Sequence, residues 1–457
     1  MKSSARRLFG TDGVRGVAGE EVTASLALSL GRVAALRCGV ERPRVLVIRD
    51  TRESGEMLES AIAAGVAEVG GEVLLGGVLP TPAAPLIVRR YGLDLAVVIS
   101  ASHNPYRDNG IKFFAADGFK LTDADELEIE RLLDEPTLPA LLGPGLPDAG
   151  SGSGSGREIG RIRAMRGTAE DYLRELELRF RDLSLDGIDV LLDCANGATY
   201  KVAPEIFRRL GARVSVIADK PDGRNINDGC GSTHIGVLCA AVRDGGHDLG
   251  FAFDGDGDRL LAVDRTGRVV DGDELLALSA VHLRRHGRLT GDGVAVTVMT
   301  NFGFHRAMAD AGIEVATTDV GDRYVLEALR DRGWALGGEQ SGHIIDLGFA
   351  PSGDGTAAAL LALEALAGDD LSQRTAMDKL PQQLINIRVR DRAGLDGASR
   401  VQDAIALEAA NLLGRGRVLV RSSGTEPLVR VMVEAPSLAE TTDTCGRLAA
   451  LIEAELA

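Results

Sequence analysis

The sequence predicts an α/β fold, with three similar α/β units followed by a smaller α+β module. Three observations carry this. Apolar runs of strand length alternate with helix-like stretches through residue 368. One order of elements, with glycine punctuation, occurs three times in that region. From residue 369 onward the order changes.

In the repeated units an apolar strand comes first, at 45–48, 190–193 and 294–298. A helix-like stretch follows, at 56–69, 201–210 and 304–311. Then a glycine (Gly71, Gly211 or Gly312) opens a second strand. The last strand opens after Gly92, Gly246 or Gly333 and runs into a polar loop. Those loops are Ser100-Ala-Ser-His-Asn-Pro105, Asp254-Gly-Asp-Gly-Asp-Arg259 and Gly338-Glu-Gln-Ser-Gly-His343. Units this large and irregularly spaced point to domain duplication, not to a solenoid. The Gly-Ser run at 150–156 reads as a flexible, exposed linker. After it a helix is expected over 168–178, capped by Thr168 with Asp171 three residues on. The tail reads as a strand at 384–389, a helix at 401–413, strands at 418–421 and 428–434, and a closing helix at 438–456. The expected domains are 1–150, 157–254, 255–368 and 369–457.

The net charge of -16 over 457 residues excludes general binding to nucleic acid or anionic membranes. No run of ~18 apolar residues predicts a membrane span. The opening nine residues hold no apolar core of signal-peptide length, so a cytoplasmic location is expected. The five cysteines are scattered without a CxxC pair, which predicts reduced thiols and no zinc site. An acidic protein that binds an anionic substrate must gather its cations locally.

Strand ends that feed loops are where α/β proteins keep their chemistry. Ser102 lies beside His103 after the apolar run 95–99, with Lys112 ten residues on: a candidate nucleophile with proton-handling and cationic groups. The loop of Asp254, Asp256 and Asp258 is the clearest metal candidate. Its glycines let the backbone fold tightly enough for the carboxylates to converge. Hard oxygen donors favour Mg²⁺, Ca²⁺ or Mn²⁺ over zinc. An EF-hand needs glycine and glutamate where this chain has Arg259 and Arg265, so that reading fails. Metal sites with open positions point toward phosphoryl chemistry.

The stretch Arg421-Ser-Ser-Gly-Thr-Glu-Pro-Leu-Val-Arg430 offers hydroxyls, backbone and guanidinium groups that could wrap a phosphate. From composition it reads equally as a polar hairpin turn. In the third loop Glu339, Ser341 and His343 suit recognition of a polar ligand, and a structural role is equally open. Arg15, in the glycine-rich stretch Phe9–Gly16, could reach a phosphoryl group or simply sit in a turn. The stretch Asn225–His234 reads only as an ordered loop.

The stretches Phe9-Gly-Thr-Asp-Gly-Val-Arg-Gly16, Ser100–Pro105, Asp108-Asn-Gly-Ile-Lys-Phe-Phe114, Asp254–Arg259, Gly338–His343 and Arg421-Ser-Ser-Gly-Thr-Glu-Pro427 together resemble the α-D-phosphohexomutase family. They stand in the family's order and span nearly the whole chain. The resemblance implies three similar α/β domains with mixed sheets and a smaller C-terminal α+β domain around a central active-site cleft. It implies that Ser102, not Ser100, carries a phosphoryl group. Asp254, Asp256 and Asp258 would hold one Mg²⁺ per subunit, completed by a phosphoserine oxygen at Ser102. Lys112, His103, Arg15 and Arg259 would surround the transferring group. Glu339, Ser341 and His343 would hold the sugar. Arg421, Ser423, Gly424 and Thr425 would hold the phosphate that is not reacting, with Arg430 in support.

The activity implied is that of an isomerase working by intramolecular phosphoryl transfer. Phosphoserine 102 would phosphorylate O1 of glucosamine 6-phosphate, and the 1,6-bisphosphate would turn over and return its other phosphoryl group. Glucosamine 1-phosphate would leave and feed UDP-N-acetylglucosamine synthesis. Gln340 stands where many relatives that act on mannose and glucose phosphates carry methionine, which favours the amino sugar. Lys112 is the expected base, its pKa lowered by neighbouring cations. A hexose bisphosphate such as glucosamine 1,6-bisphosphate is the expected activator. A homodimer, and activation by a kinase or by autophosphorylation, are further expectations from the resemblance. The rival readings are a mutase for mannose or glucose phosphates and a metal-dependent sugar phosphatase.

Overall fold

Each repeated segment forms its own sheet, and the three share one internal order. This computed structural model describes residues 8–10, 12–134, 158–390, 394–422 and 427–456. The Gly-Ser run at 150–156 lies outside them. In the first sheet the strand Arg44–Arg49 lies between Glu72–Val78 and Leu95–Ile99, parallel to both. In the second, Asp189–Asp193 lies between Arg213–Ile217 and Leu249–Phe253, again parallel to both. In the third, Gly293–Thr297 has Glu314–Thr318 on one side and Leu336–Gly338, parallel, on the other. Three sheets with the first strand in the middle fit duplication better than chance resemblance among α/β units.

A fourth strand in each sheet turns back antiparallel against the last parallel one. These strands are Asp108–Ala115, Leu260–Asp264 and Ile344–Asp346. They make the sheets mixed. They also make each polar loop the connection of a hairpin. The loops bearing Ser102, Asp254 and Glu339 thus occupy one topological position in three copies. Val14–Val17 and Ile162–Ala164 extend the first sheet to six strands, and Val269–Val270 extends the second to five.

The strands Leu95–Ile99 and Leu249–Phe253 are buried along their whole length. Burial on both faces is why they read as unbroken apolar runs. Helices begin at polar caps: Thr122 and Asp271 each close a capping box, and Asp354 accepts from Ala357 N. Thr168 does not cap its helix. Thr168–Arg179 starts one residue earlier than that role requires, behind Gly167 at φ 84°, and the Thr168 hydroxyl donates to Gly76 O at 2.9 Å. A carbonyl on a neighbouring strand has captured the hydroxyl.

The chain separates into two units, Met1–Thr297 with Ala316–Arg374 and Val298–Val315 with Thr375–Ala457. In the second unit Leu428–Glu434 is the middle of a three-stranded antiparallel sheet, between Gln382–Arg388 and Arg417–Ser422. One face buries Val429, Val431 and Val433 against Val401 of the helix Ser399–Asn411 and against Leu448 and Ile452 of Leu438–Leu456. Among the described residues no helix is long and apolar enough to cross a membrane.

Candidate active site

Ser102 is buried and holds a left-handed backbone, φ 52°. A non-glycine residue adopts that conformation only at a cost of about 1–2 kcal/mol, so its surroundings must impose it. Several groups do. Ser102 N donates to Ser100 Oγ at 2.9 Å, and Ser100 Oγ donates to Asp50. Ser102 O accepts from Arg52 at 2.9 Å and from Asn227 Nδ2 at 2.9 Å. The outcome is an Oγ that donates to Asp254 Oδ2.

Asp254, Asp256 and Asp258 are all buried, and each offers an oxygen within 4.8 Å of the others'. Asp256 Oδ1 and Asp258 Oδ1 are buried without a hydrogen-bond partner. Burial, with the carboxylates of Asp258 and Asp256 close by, pushes Asp254 well above the usual carboxylate range. Converging hard donors, two of them unsatisfied, fit a divalent cation of the magnesium or calcium kind. A solvated acidic turn, the alternative reading, does not bury its carboxylates.

Lys112 is buried beside them, its Nζ 2.9 Å from Asp256, 2.9 Å from Asp12 and 3.7 Å from Asp258. The expected lowering of its pKa is reversed. Burial opposes the charge, but the carboxylates of Asp12, Asp256 and Asp258 more than offset it and push the ammonium's pKa up. The cations were expected to dominate, and the carboxylates lie nearer. Asp12 also pairs with Arg15 and Lys120, and Lys120 reaches Asp322. Arg15 feels Asp12, Asp256 and Asp258, and the buried Arg259 feels Asp258, Asp254 and Glu339. In this way an acidic chain gathers its cations at one place. His103 Nδ1 lies 3.4 Å from Ser102 Oγ. Burial, then Arg259 and Arg15, lower its pKa.

The third loop reaches the same cluster. His343 Nδ1 stands 3.7 Å from Asp258, while Nε2 accepts from Gly353 N at 3.2 Å. Glu339 is buried and accepts from Gly321 N at 3.1 Å, and Ser341 is exposed on the same loop. In the second unit Arg421 and Arg430 are cross-strand partners in register, two guanidinium groups on adjacent strands. Ser423, Gly424 and Thr425 lie outside the described residues.

Several residues of this site were not singled out in the sequence. Asp12, in the Phe9–Gly16 stretch with Arg15, pairs with Arg15, Lys112 and Lys120. Thr81 donates to Asp256 Oδ2 at 2.7 Å. Asn227 lay in the loop read merely as ordered, and its left-handed φ of 58° marks it as special. Asp50 and Arg52 follow the strand Arg44–Arg49, a strand-end position that the same logic would have flagged.

A serine held against a buried acidic cluster, with Arg15, Lys112 and Arg259 gathered around it, defines a phosphoryl-transfer enzyme of the phosphohexomutase class. Models of the phosphoglucomutase/phosphomannomutase alpha/beta/alpha domains I, II and III match residues 6–139, 170–267 and 271–384, and that of the C-terminal domain matches 384–451. The chain belongs to the phosphoglucomutase/phosphomannomutase family. It is 52% identical over 433 residues to a phosphoglucosamine mutase of Desulforudis audaxviator, covering 94% of each chain. It is 45% identical over 457 residues to that of Bacillus subtilis, covering 98% of this chain and 99% of the relative. Among solved structures, a phosphoglucomutase/phosphomannomutase family protein of Burkholderia thailandensis has a TM-score of 0.79 at 23% identity, covering 99% of this chain and 98% of that one. Aspergillus fumigatus N-acetylphosphoglucosamine mutase in complex with GlcNAc-6P and magnesium has a TM-score of 0.67 at 18% identity, covering 100% and 97%. At these identities the two structures show the fold.

Proposed function

We propose that this enzyme interconverts glucosamine 6-phosphate and glucosamine 1-phosphate through phosphoserine 102 and a 1,6-bisphosphate. The observation that carries the reading is the Ser102 hydroxyl seated on Asp254 with Lys112 beside Asp256. Relatives at 45–52% identity are phosphoglucosamine mutases, which supports the amino sugar.

The residues then divide the work. The O1 hydroxyl of the sugar attacks the phosphorus of phosphoserine 102, the P–Oγ bond breaks, a base takes the hydroxyl proton and a proton is delivered to the departing Ser102 Oγ. Lys112, ion-paired with Asp12 and Asp256, acts as a fixed cation beside the transferring group. His103, with Nδ1 3.4 Å from Ser102 Oγ, would serve the serine side of the phosphorus, giving a proton to the departing Oγ and taking it back on the return transfer. Asp254, Asp256 and Asp258 would hold Mg²⁺, which offsets charge on the transferring phosphoryl group. Arg15 and Arg259 add fixed positive charge around it. Glu339, Ser341 and His343 bind the sugar. Arg421, Ser423, Gly424 and Thr425, backed by Arg430, bind the other phosphate, so the bisphosphate can return either phosphoryl group to Ser102. A simple phosphatase needs no second phosphate site.

The test compares kcat/KM for glucosamine, glucose and mannose 6-phosphates, with Ser102→Ala as control. A preference for glucosamine 6-phosphate is expected, with a loss of at least about 10³-fold in Ser102→Ala even with bisphosphate supplied. A large preference for a neutral hexose, or net release of phosphate without isomerisation, would overturn the reading.

A further inference from the structure

Arg52 is a buried arginine, and all five of its N–H donors are used. Nε donates to Asp50 Oδ2 at 2.9 Å. One terminal nitrogen donates to the carbonyls of Ser102 at 2.9 Å and Asn104 at 2.8 Å. The other donates to those of Asp108, at 2.9 Å, and Pro105. A buried guanidinium is costly unless every donor is matched, and here the matching partners are four carbonyls of one loop. That loop is the one that carries Ser102.

Two neighbours tie the same loop down. Ser100 Oγ bridges Asp50 and Ser102 N, so Asp50 serves both Arg52 and the loop. Asn227 comes from the second repeated segment and donates to the carbonyls of Ser102 and Asn104, at 2.9 and 3.1 Å. Such over-determination is what a left-handed serine requires.

We propose that Arg52 is the positioning residue for Ser102. Its fork holds the loop in the strained conformation that keeps Oγ on the aspartate cluster through both phosphoryl transfers. The proposal rests on the phosphoserine reading of Ser102.

The experiment uses the full chain with Arg52→Lys, which keeps the charge but loses the planar fork, and Ser100→Ala, a gentler cut in the same network. kcat and KM are measured on glucosamine 6-phosphate. Phosphorylation of Ser102 by glucose 1,6-bisphosphate is followed by intact mass, and folding by thermal melting. Arg52→Lys is expected to lower kcat about 10²-fold and slow Ser102 phosphorylation, with KM within about 3-fold, because misplacement by an ångström costs that much in rate. Ser100→Ala is expected to lower kcat about 10-fold in the same pattern. The proposal is overturned if folded Arg52→Lys keeps kcat within about 3-fold, or if only KM moves. If Arg52→Lys does not fold, Ser100→Ala decides by the same criteria. A wild-type enzyme that is active but never phosphorylated on Ser102 would instead overturn the phosphoserine reading.

Discussion

Ser102 Oγ donates to Asp254 Oδ2 across 152 residues of chain, and the two stand in equivalent hairpin connections of two related sheets. The third copy of that connection carries Glu339 and His343. Three loops hold one topological position, and their side chains differ: a serine, an acidic cluster and a Glu-His pair, which the proposed function uses as nucleophile, metal site and sugar contact. The packing is close: a Cβ on Gly255 would come 2.6 Å from Ser102 O, so only glycine lets the first two loops meet.

Thr81 orients one of the aspartates. Its hydroxyl donates to Asp256 Oδ2 at 2.7 Å, the oxygen that also faces Lys112. Thr81→Val keeps the shape and removes the donor. The Mg²⁺ concentration for half-maximal activity should rise about 10-fold, with kcat at saturation within about 3-fold. Titration of metal-stripped enzyme measures this, and an unchanged requirement would deny Thr81 any orienting role.

Lys112 is as much a structural cation as a functional one. It sits among three carboxylates; Asp12 keeps Arg15 and Lys120, but the buried Asp256 loses the cation that touches it. Lys112→Gln should destabilise the metal-free protein by about 3–5 kcal/mol. Urea unfolding of both proteins tests this. A loss below about 1 kcal/mol would show that the carboxylates find other partners.

The parallel strands were legible because two-sided burial writes an apolar run. The antiparallel strand Asp108–Ala115 was not, because it buries Asn109 and Lys112. Asn109 donates to Ser54 and Lys112 to Asp256, partners that no local pattern shows. The loops bearing Ser102 and the three aspartates were legible because their residue types are few and dense. Arg52 was legible only as a strand-end position; its task depends on four carbonyl partners that the fold assembles around it. The charge state of Lys112 failed for the same reason: it depends on which neighbours come nearest.

Asp354 gives stability a pH dependence of its own. It caps the helix Gly355–Leu366 and accepts from Tyr172 Oη at 2.9 Å. Burial pushes its pKa up from 3.8 to about 6 despite those bonds. A raised carboxyl favours the protonated folded state, so its stability is fully present below the unfolded pKa and is lost as pH rises through the folded one. The loss amounts to about 3 kcal/mol at most. Asp354→Asn keeps a good cap without the titration. Relative to wild type, the variant should therefore gain stability between about pH 4 and about pH 7. Urea unfolding of both proteins at the two pH values measures it, and a constant difference would show that Asp354 does not titrate in that window.

Gly342 fixes the loop that bears Glu339. It adopts φ 90°, and a Cβ there would come 1.9 Å from Leu260 O. Leu260 N donates to Gly342 O at 3.0 Å, and Gly342 N donates to Glu339 O at 2.9 Å. Gly342→Ala must therefore push the loop away from the strand that follows the aspartates, and Glu339 moves with it. Stability should fall by about 1–3 kcal/mol, the cost of a strained backbone. KM for glucosamine 6-phosphate should rise at least about 10-fold, while the Mg²⁺ requirement stays within about 3-fold, because the aspartates themselves are not displaced. Steady-state kinetics with metal titration separates the two effects. A folded Gly342→Ala enzyme with unchanged KM would show that the Glu339 loop does not hold the sugar.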